Sequence, residues 1–256
     1  MRRRTSLRTL ATAVVLITLG ATRARAQSQF ELWGDFTLDW VQNPRLTFSV
    51  DVEPKTSLTS PGDQPGFWTI QVTPNVQFAA RNWLDVVGET LVGYTGKSND
   101  DNSTQVTPRA GVLVHVLSRN VPDPFEWRER PPRRRVVIRD LSRLEWENTF
   151  DEGAKSGSSF ALRWRNRVEF QVPLNKPGMT VNGAQYFTSD WETFMPLDDG
   201  SDVFVDKQRV RAGLGYRRSF RWRFEALYIW DLSRKAAGDP FVLSDQAIDL
   251  RVKRVF

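Results

Sequence analysis

Residues 208–231 read QRVRAGLGYRRSFRWRFEALYIWD, and their period is two. Val210, Ala212, Leu214 and Tyr216 fall on one face of an extended strand, and Arg209, Arg211, Gly213 and Gly215 on the other. After a turn near Arg218 and Ser219 the pattern resumes. Phe220, Trp222, Phe224, Ala226, Tyr228 and Trp230 share a face, opposite Arg221, Arg223, Glu225 and Asp231. Side chains alternate across a strand, so the stretch predicts two antiparallel strands. Its aromatic face is long enough to cross a bilayer as a tilted strand.

Working outward, the same alternation recurs along the chain. Phe30 to Trp40, Leu46 to Val52, Trp68 to Phe78, Trp83 to Tyr94, Val106 to Leu117, Val136 to Phe150, Phe160 to Phe170, Tyr186 to Met195 and Ser244 to Phe256 each alternate apolar with polar or charged residues. Turn-forming clusters separate them, such as Asn43-Pro44, Ser57 to Gly66 and Asp198-Asp199-Gly200. Eleven strands are clear, and Phe125 to Arg130 supplies a twelfth within a proline-rich stretch. Bacterial outer-membrane barrels use even numbers. The expectation is therefore an all-β fold: a closed antiparallel transmembrane β-barrel of about 12 strands (10–12).

Residues 1–26 stand apart. Arg2, Arg3, Arg4 and Arg8 precede a short apolar run, Leu10 to Leu19, and Ala24-Arg25-Ala26 fits a small-x-small cleavage site. They read as a signal peptide cut near Ala26, with the barrel domain over 27–256. The chain carries 36 basic and 30 acidic residues, a net charge of +6. Removing the six leader arginines leaves 30 of each sign, so the excess charge is no argument for nucleic acid. There is no cysteine. That excludes a disulfide scaffold, a lipidated N-terminal cysteine and thiolate metal or redox sites.

Alternation alone does not say which face meets water. A soluble periplasmic ligand-binding β-barrel would turn its apolar face inward. Three features favour an outward apolar face and an outer-membrane location. About a dozen strands exceeds the number in small ligand-binding barrels. Trp40, Trp68, Trp83, Tyr94, Trp164, Tyr216, Phe220 and Trp230 sit near strand ends, as an interfacial girdle would. The last strand carries Ile248, Leu250, Val252 and Phe256 on one face. A terminal aromatic there resembles the assembly signal read by the barrel-insertion machinery, although Arg254 departs from that pattern.

The stretches FELWGDFTLDW (30–40), RLEWENTF (143–150), RWRNRVEF (163–170), RAGLGYRRSFRWRFEALYIW (211–230) and IDLRVKRVF (248–256) carry a family resemblance. The chain resembles the exported barrel proteins grouped as domain of unknown function 2490. The resemblance covers most of the mature chain. It implies an outer-membrane β-barrel and brings no established activity with it.

With the apolar face against lipid, the other face lines a lumen rich in ions. Arg163, Arg165, Arg167, Arg209, Arg211 and Arg223 are the candidates to face small anionic solutes. Glu145, Glu147, Glu169, Asp190, Glu192 and Glu225 are the candidates to pair with them. Arginine's planar fork binds carboxylates bidentately, and directly opposed unlike charges contribute about 0.2–1 kcal/mol each. Two readings stay open: an internal ion-pair lattice that stiffens a structural barrel, or a narrow anion-leaning channel. Twelve strands lie between a filled eight-stranded barrel and a water-filled sixteen-stranded one. No cofactor and no metal is expected, since the run Asn99 to Asn102 reads as a solvated loop. Enzyme chemistry is not expected either. A barrel enzyme acting on envelope lipids would have to use His115, the only histidine, and no serine neighbours it in sequence. Gly213 and Gly215 read as points of close packing or bending within a strand.

Overall fold

The computed structural model describes residues 28–59, 66–98, 101–117, 136–152, 157–179, 181–198 and 203–256. Their ordered elements are all strands: β1 (Gln29–Asn43), β2 (Leu46–Thr59), β3 (Phe67–Arg81), β4 (Leu84–Lys97), β5 (Ser103–His115), β6 (Val137–Asp151), β7 (Gly157–Pro173), β8 (Ala184–Pro196), β9 (Lys207–Arg217), β10 (Trp222–Ser233) and β11 (Val242–Val255). The tightest links fall where turn residues sit. Pro44-Arg45 joins β1 to β2, with the Arg45 amide donating to Asn43 Oδ1 at 2.9 Å. Asn82-Trp83 joins β3 to β4. We name the two rims by the ends of β5, as the Ser103 rim and the His115 rim.

The strands close into a ring in chain order. Ten neighbour pairs are antiparallel, and β1 meets β11 in parallel, from Gln29↔Asp245 to Asp39↔Val255. Eleven strands that alternate in direction leave the first and last running the same way, so the parallel closure follows from parity. The expected range of ten to twelve strands contains this number, but the preference for twelve does not hold. The proposed twelfth strand, 125–130, lies outside the described residues. β5 pairs directly with β6, from Ser103↔Asp151 to His115↔Arg139, so the ring closes without it. The expected leader, 1–26, also lies outside the described residues.

The two faces separate as the alternation demands. Phe36, Trp40, Phe48, Trp68, Ile70, Phe78, Trp164, Phe170, Trp191 and Leu250 stand exposed on the outer surface. The charged face of every strand turns inward, and many of its side chains are buried there. Three buried aromatics break the rule: Trp33 and Phe194 point into the interior, and Tyr186 lies against the inner wall with its hydroxyl on Glu225. Phe220, expected on the outward face of a strand, sits instead in the link 218–221 and lines the interior, because β9 stops at Arg217 and β10 starts at Trp222. At the His115 rim the Trp40 and Phe256 rings stack, 5.5 Å apart and 8° from parallel. Arg254 departs from the usual apolar pattern for a stated reason: its guanidinium lies 5.0 Å from the Trp222 ring and 4.4 Å from the Phe256 ring.

Candidate functional site

A continuous run of ion pairs crosses six neighbouring strands of the inner wall. Glu89 on β4 meets Arg109 on β5 at 3.2 Å, and Arg109 meets Glu145 on β6 at 2.9 Å. Arg143 on β6 bridges Glu89 at 2.7 Å and Glu145 at 3.3 Å. Arg165 on β7 lies 2.7 Å from both Glu145 and Glu192. From Glu192 on β8 the run passes to Arg211 on β9 at 3.2 Å, and Arg211 holds Asp190 at 2.7 Å. Arg163 reaches Glu147, with Glu145 at 3.8 Å. Glu145 and Glu192 are almost wholly buried, so each shares several guanidinium groups rather than water. That sharing is what makes burial of the charge tolerable.

Two bidentate pairs brace the run. Arg139 donates to both oxygens of Glu169 at 2.9 Å, and Arg209 donates to both oxygens of Asp231 at 2.6 and 2.8 Å. On the opposite wall Arg251 meets Asp249 at 2.7 Å, Lys253 meets Asp39 at 2.7 Å and Lys55 meets Glu53 at 2.9 Å. The inward aromatics are part of the same wall. Arg209 lies 4.8 Å from the Trp33 ring and 5.5 Å from the Phe194 ring, while Lys55 covers Trp33 and Arg165 covers Phe194, each at 4.4 Å.

These side chains do not fill the interior. They enclose a cavity of about 440 Å³, within the range of small-molecule sites. Among its described lining residues are ten arginines and three lysines against eight carboxylates. A second cavity of about 80 Å³ lies at the His115 rim. Ser49, Gln77, Arg139, Arg223 and Lys253 line both, and so form the ring where one passes into the other. His115 lines the smaller cavity, its Nε2 2.8 Å from Asp85, which also accepts from Gln77 at 2.6 Å.

All six arginines expected to face the lumen line the larger cavity, with Glu169, Asp190 and Glu225 among the carboxylates. Glu145 and Glu192 stand behind the arginines, buried in the ion-pair run. Glu147 pairs with Arg163. The arginine ladder on β7 divides. Arg163 and Arg165 are taken up by carboxylates, whereas Arg167 makes no ion pair within 4.0 Å among the described residues. It stands opposite Glu192 in register and in the field of Glu192, Asp190 and Glu169. Among the described residues Arg223 has one carboxylate within 4.0 Å, Glu225 at 3.9 Å. Sequence reasoning missed Trp33 and Phe194, since aromatic residues on a charged face carry no periodic signal. It also missed Asp231, Asp249, Arg251 and Lys253 as lumen partners, although each sits at the alternate position that marks an inward residue. No group of three or more metal-ligating side chains occurs among the described residues.

No curated protein matches the chain. A family model does, over residues 30–242, from the first strand to the start of the last. With that match running through ten of the eleven strands and reaching the first residue of β11, the chain belongs to the family described as "Protein of unknown function (DUF2490)".

Proposed function

We propose that the chain is an outer-membrane β-barrel protein, exported and cleaved near Ala26, whose lumen is a narrow passage leaning toward small anions. One observation carries the reading. The apolar, aromatic face is outside and exposed, while the ionic face surrounds a cavity whose lining holds more cations than carboxylates. In water that outer belt would be a costly exposed patch; against acyl chains it is the expected surface, with outer-membrane lipids as its partners. A soluble ligand-binding barrel would present the reverse. The aromatic residue at the end of β11 fits recognition by the barrel-insertion machinery. Eleven strands about 4.8 Å apart and tilted about 40° give a backbone radius of about 11 Å, which arginines from facing walls narrow severely.

Cell fractionation and heat-shifted gel mobility test the location. Planar-bilayer recording of the purified protein tests the passage. The expected result is a small conductance whose reversal potential in a salt gradient favours chloride. Arg167→Glu, which breaks no ion pair within 4.0 Å among the described residues, is expected to move that potential toward cation preference. A second reading, a purely structural barrel, is favoured by the ion-pair run from β4 to β9. Absence of current at any voltage from a folded, inserted protein would select it.

A further inference from the structure

The inner wall of this barrel places unlike charges side by side almost everywhere. Arg209 faces Asp231, Asp190 faces Arg211, Glu145 faces Arg163 and Glu225 faces Arg251 across their strand pairs. Near the His115 rim the rule reverses. Arg223 on β10 is the direct register partner of Arg217 on β9 and of Lys253 on β11. Three cations therefore stand in a row across three adjacent strands, about 4.8 Å apart. Like charges directly opposite one another destabilise a sheet. The other cationic pair, Arg143 with Arg165, closes on the shared carboxylates Glu145 and Glu192, and the acidic pairs Glu169 with Asp190 and Asp231 with Asp245 have Arg139, Arg211 and Arg209 beside them. In the row, Lys253 has Asp39, which also accepts from Ser49 at 2.9 Å, and Glu225 is held by the Tyr186 hydroxyl at 2.6 Å while lying 3.9 Å from Arg223.

The row lines the smaller cavity, whose 80 Å³ has the scale of a single tetrahedral oxyanion rather than an organic ligand. Six arginine and lysine side chains line it against two carboxylates, Asp39 and Asp85. His115 adds an independent sign. Its side chain is buried, and its Nδ1 has no hydrogen-bond partner among the described residues. The Asp85 carboxylate only accepts, so Nε2 carries the proton between them, and in the tautomer with that single N–H the Nδ1 atom is left as an acceptor. A buried acceptor without a donor is costly.

We propose that Arg217, Arg223, Lys253 and His115 form a binding site for inorganic phosphate. The row supplies the charge. Monohydrogen phosphate supplies what sulfate does not at neutral pH, a hydroxyl that donates to Nδ1 of His115. The site does not require the lumen to conduct.

Calorimetric titration of the purified full-length protein in detergent micelles, at constant ionic strength and pH 7, tests the site. Sodium phosphate is expected to bind saturably at one site and sulfate at least about tenfold more weakly. Arg223→Gln is expected to weaken phosphate binding by about tenfold or more, while Lys235→Gln on the link 234–241 leaves it unchanged. Phosphate should raise the thermal midpoint of the parent protein and not that of Arg223→Gln, by simple linkage. Folding of each variant is read from heat-shifted mobility, and Lys253→Gln serves if Arg223→Gln does not fold. No saturable phosphate binding, sulfate binding as tightly as phosphate, or full affinity in both folded variants would overturn the site. The two readings fail separately. Phosphate binding without current removes the passage, and anion-selective current without phosphate binding removes this site.

Discussion

At Gly215 a Cβ would fall 2.1 Å from Cζ of Tyr186, so only glycine leaves room for that ring to lie across β9 and reach Glu225. Tyr186 is almost completely buried there. At Gly88 a Cβ would meet nothing within 4 Å. The two positions therefore make a matched pair. Gly215→Val is expected to destabilise the barrel by about 1–3 kcal/mol through overpacking. Gly88→Val should be neutral or mildly stabilising, since a β-branched residue suits a strand better than glycine. Urea unfolding followed by tryptophan fluorescence checks both. The alternation around residues 208–217 marked Gly215 as a place of close approach. It did not name Tyr186, whose position depends on the register of a neighbouring strand.

Among elements, the run of ion pairs from β4 to β9 ties six strands together through few carboxylates. Glu192 is one of its two densest joints, with Arg165 at 2.7 Å, Arg211 at 3.2 Å, Arg143 at 3.7 Å and Arg209 at 4.0 Å. Glu192→Gln leaves those buried guanidinium groups short of a counter-charge, and an expected loss of about 3–5 kcal/mol follows. Glu152→Gln, at an exposed position just past the end of β6, should change stability by less than about 0.5 kcal/mol. The same unfolding titration separates them. This part of the site was readable in advance, because acids and bases sit at alternate positions of strands joined by single links. Arg163, Arg165 and Arg211 fell to carboxylates already named from the chain, whereas Arg209 took Asp231, which was not among them. The cation row was not readable. Placing Lys253 beside Arg223 takes the length of the link 234–241 and the register shift at Asp231 and Leu232, neither of which leaves a periodic trace. Phe220 was misplaced for a related reason: the turn is longer than its two signal residues indicated.

For the whole molecule, the two faces of each strand were legible from period two, and the outward turn of the apolar one from the aromatic residues near strand ends, while the strand number was not. An even-number expectation had to yield to a ring that closes on a parallel pair. Parallel ladders have slanted bonds and are slightly less stable per residue. The β1–β11 seam also spans eleven register pairs, against fifteen between β6 and β7. Hydrogen exchange on the reconstituted barrel should therefore show seam amides of β1 and β11 exchanging before those between β6 and β7. Uniform protection around the ring would contradict this. The odd count has a consequence for sidedness. The backbone enters β1 at Gln29 through one mouth and leaves β11 at Val255 through the other. In a bilayer, then, the polypeptide's outermost strands hand their free ends to different compartments, so a label fused ahead of β1 and one fused after β11 would never share the same side.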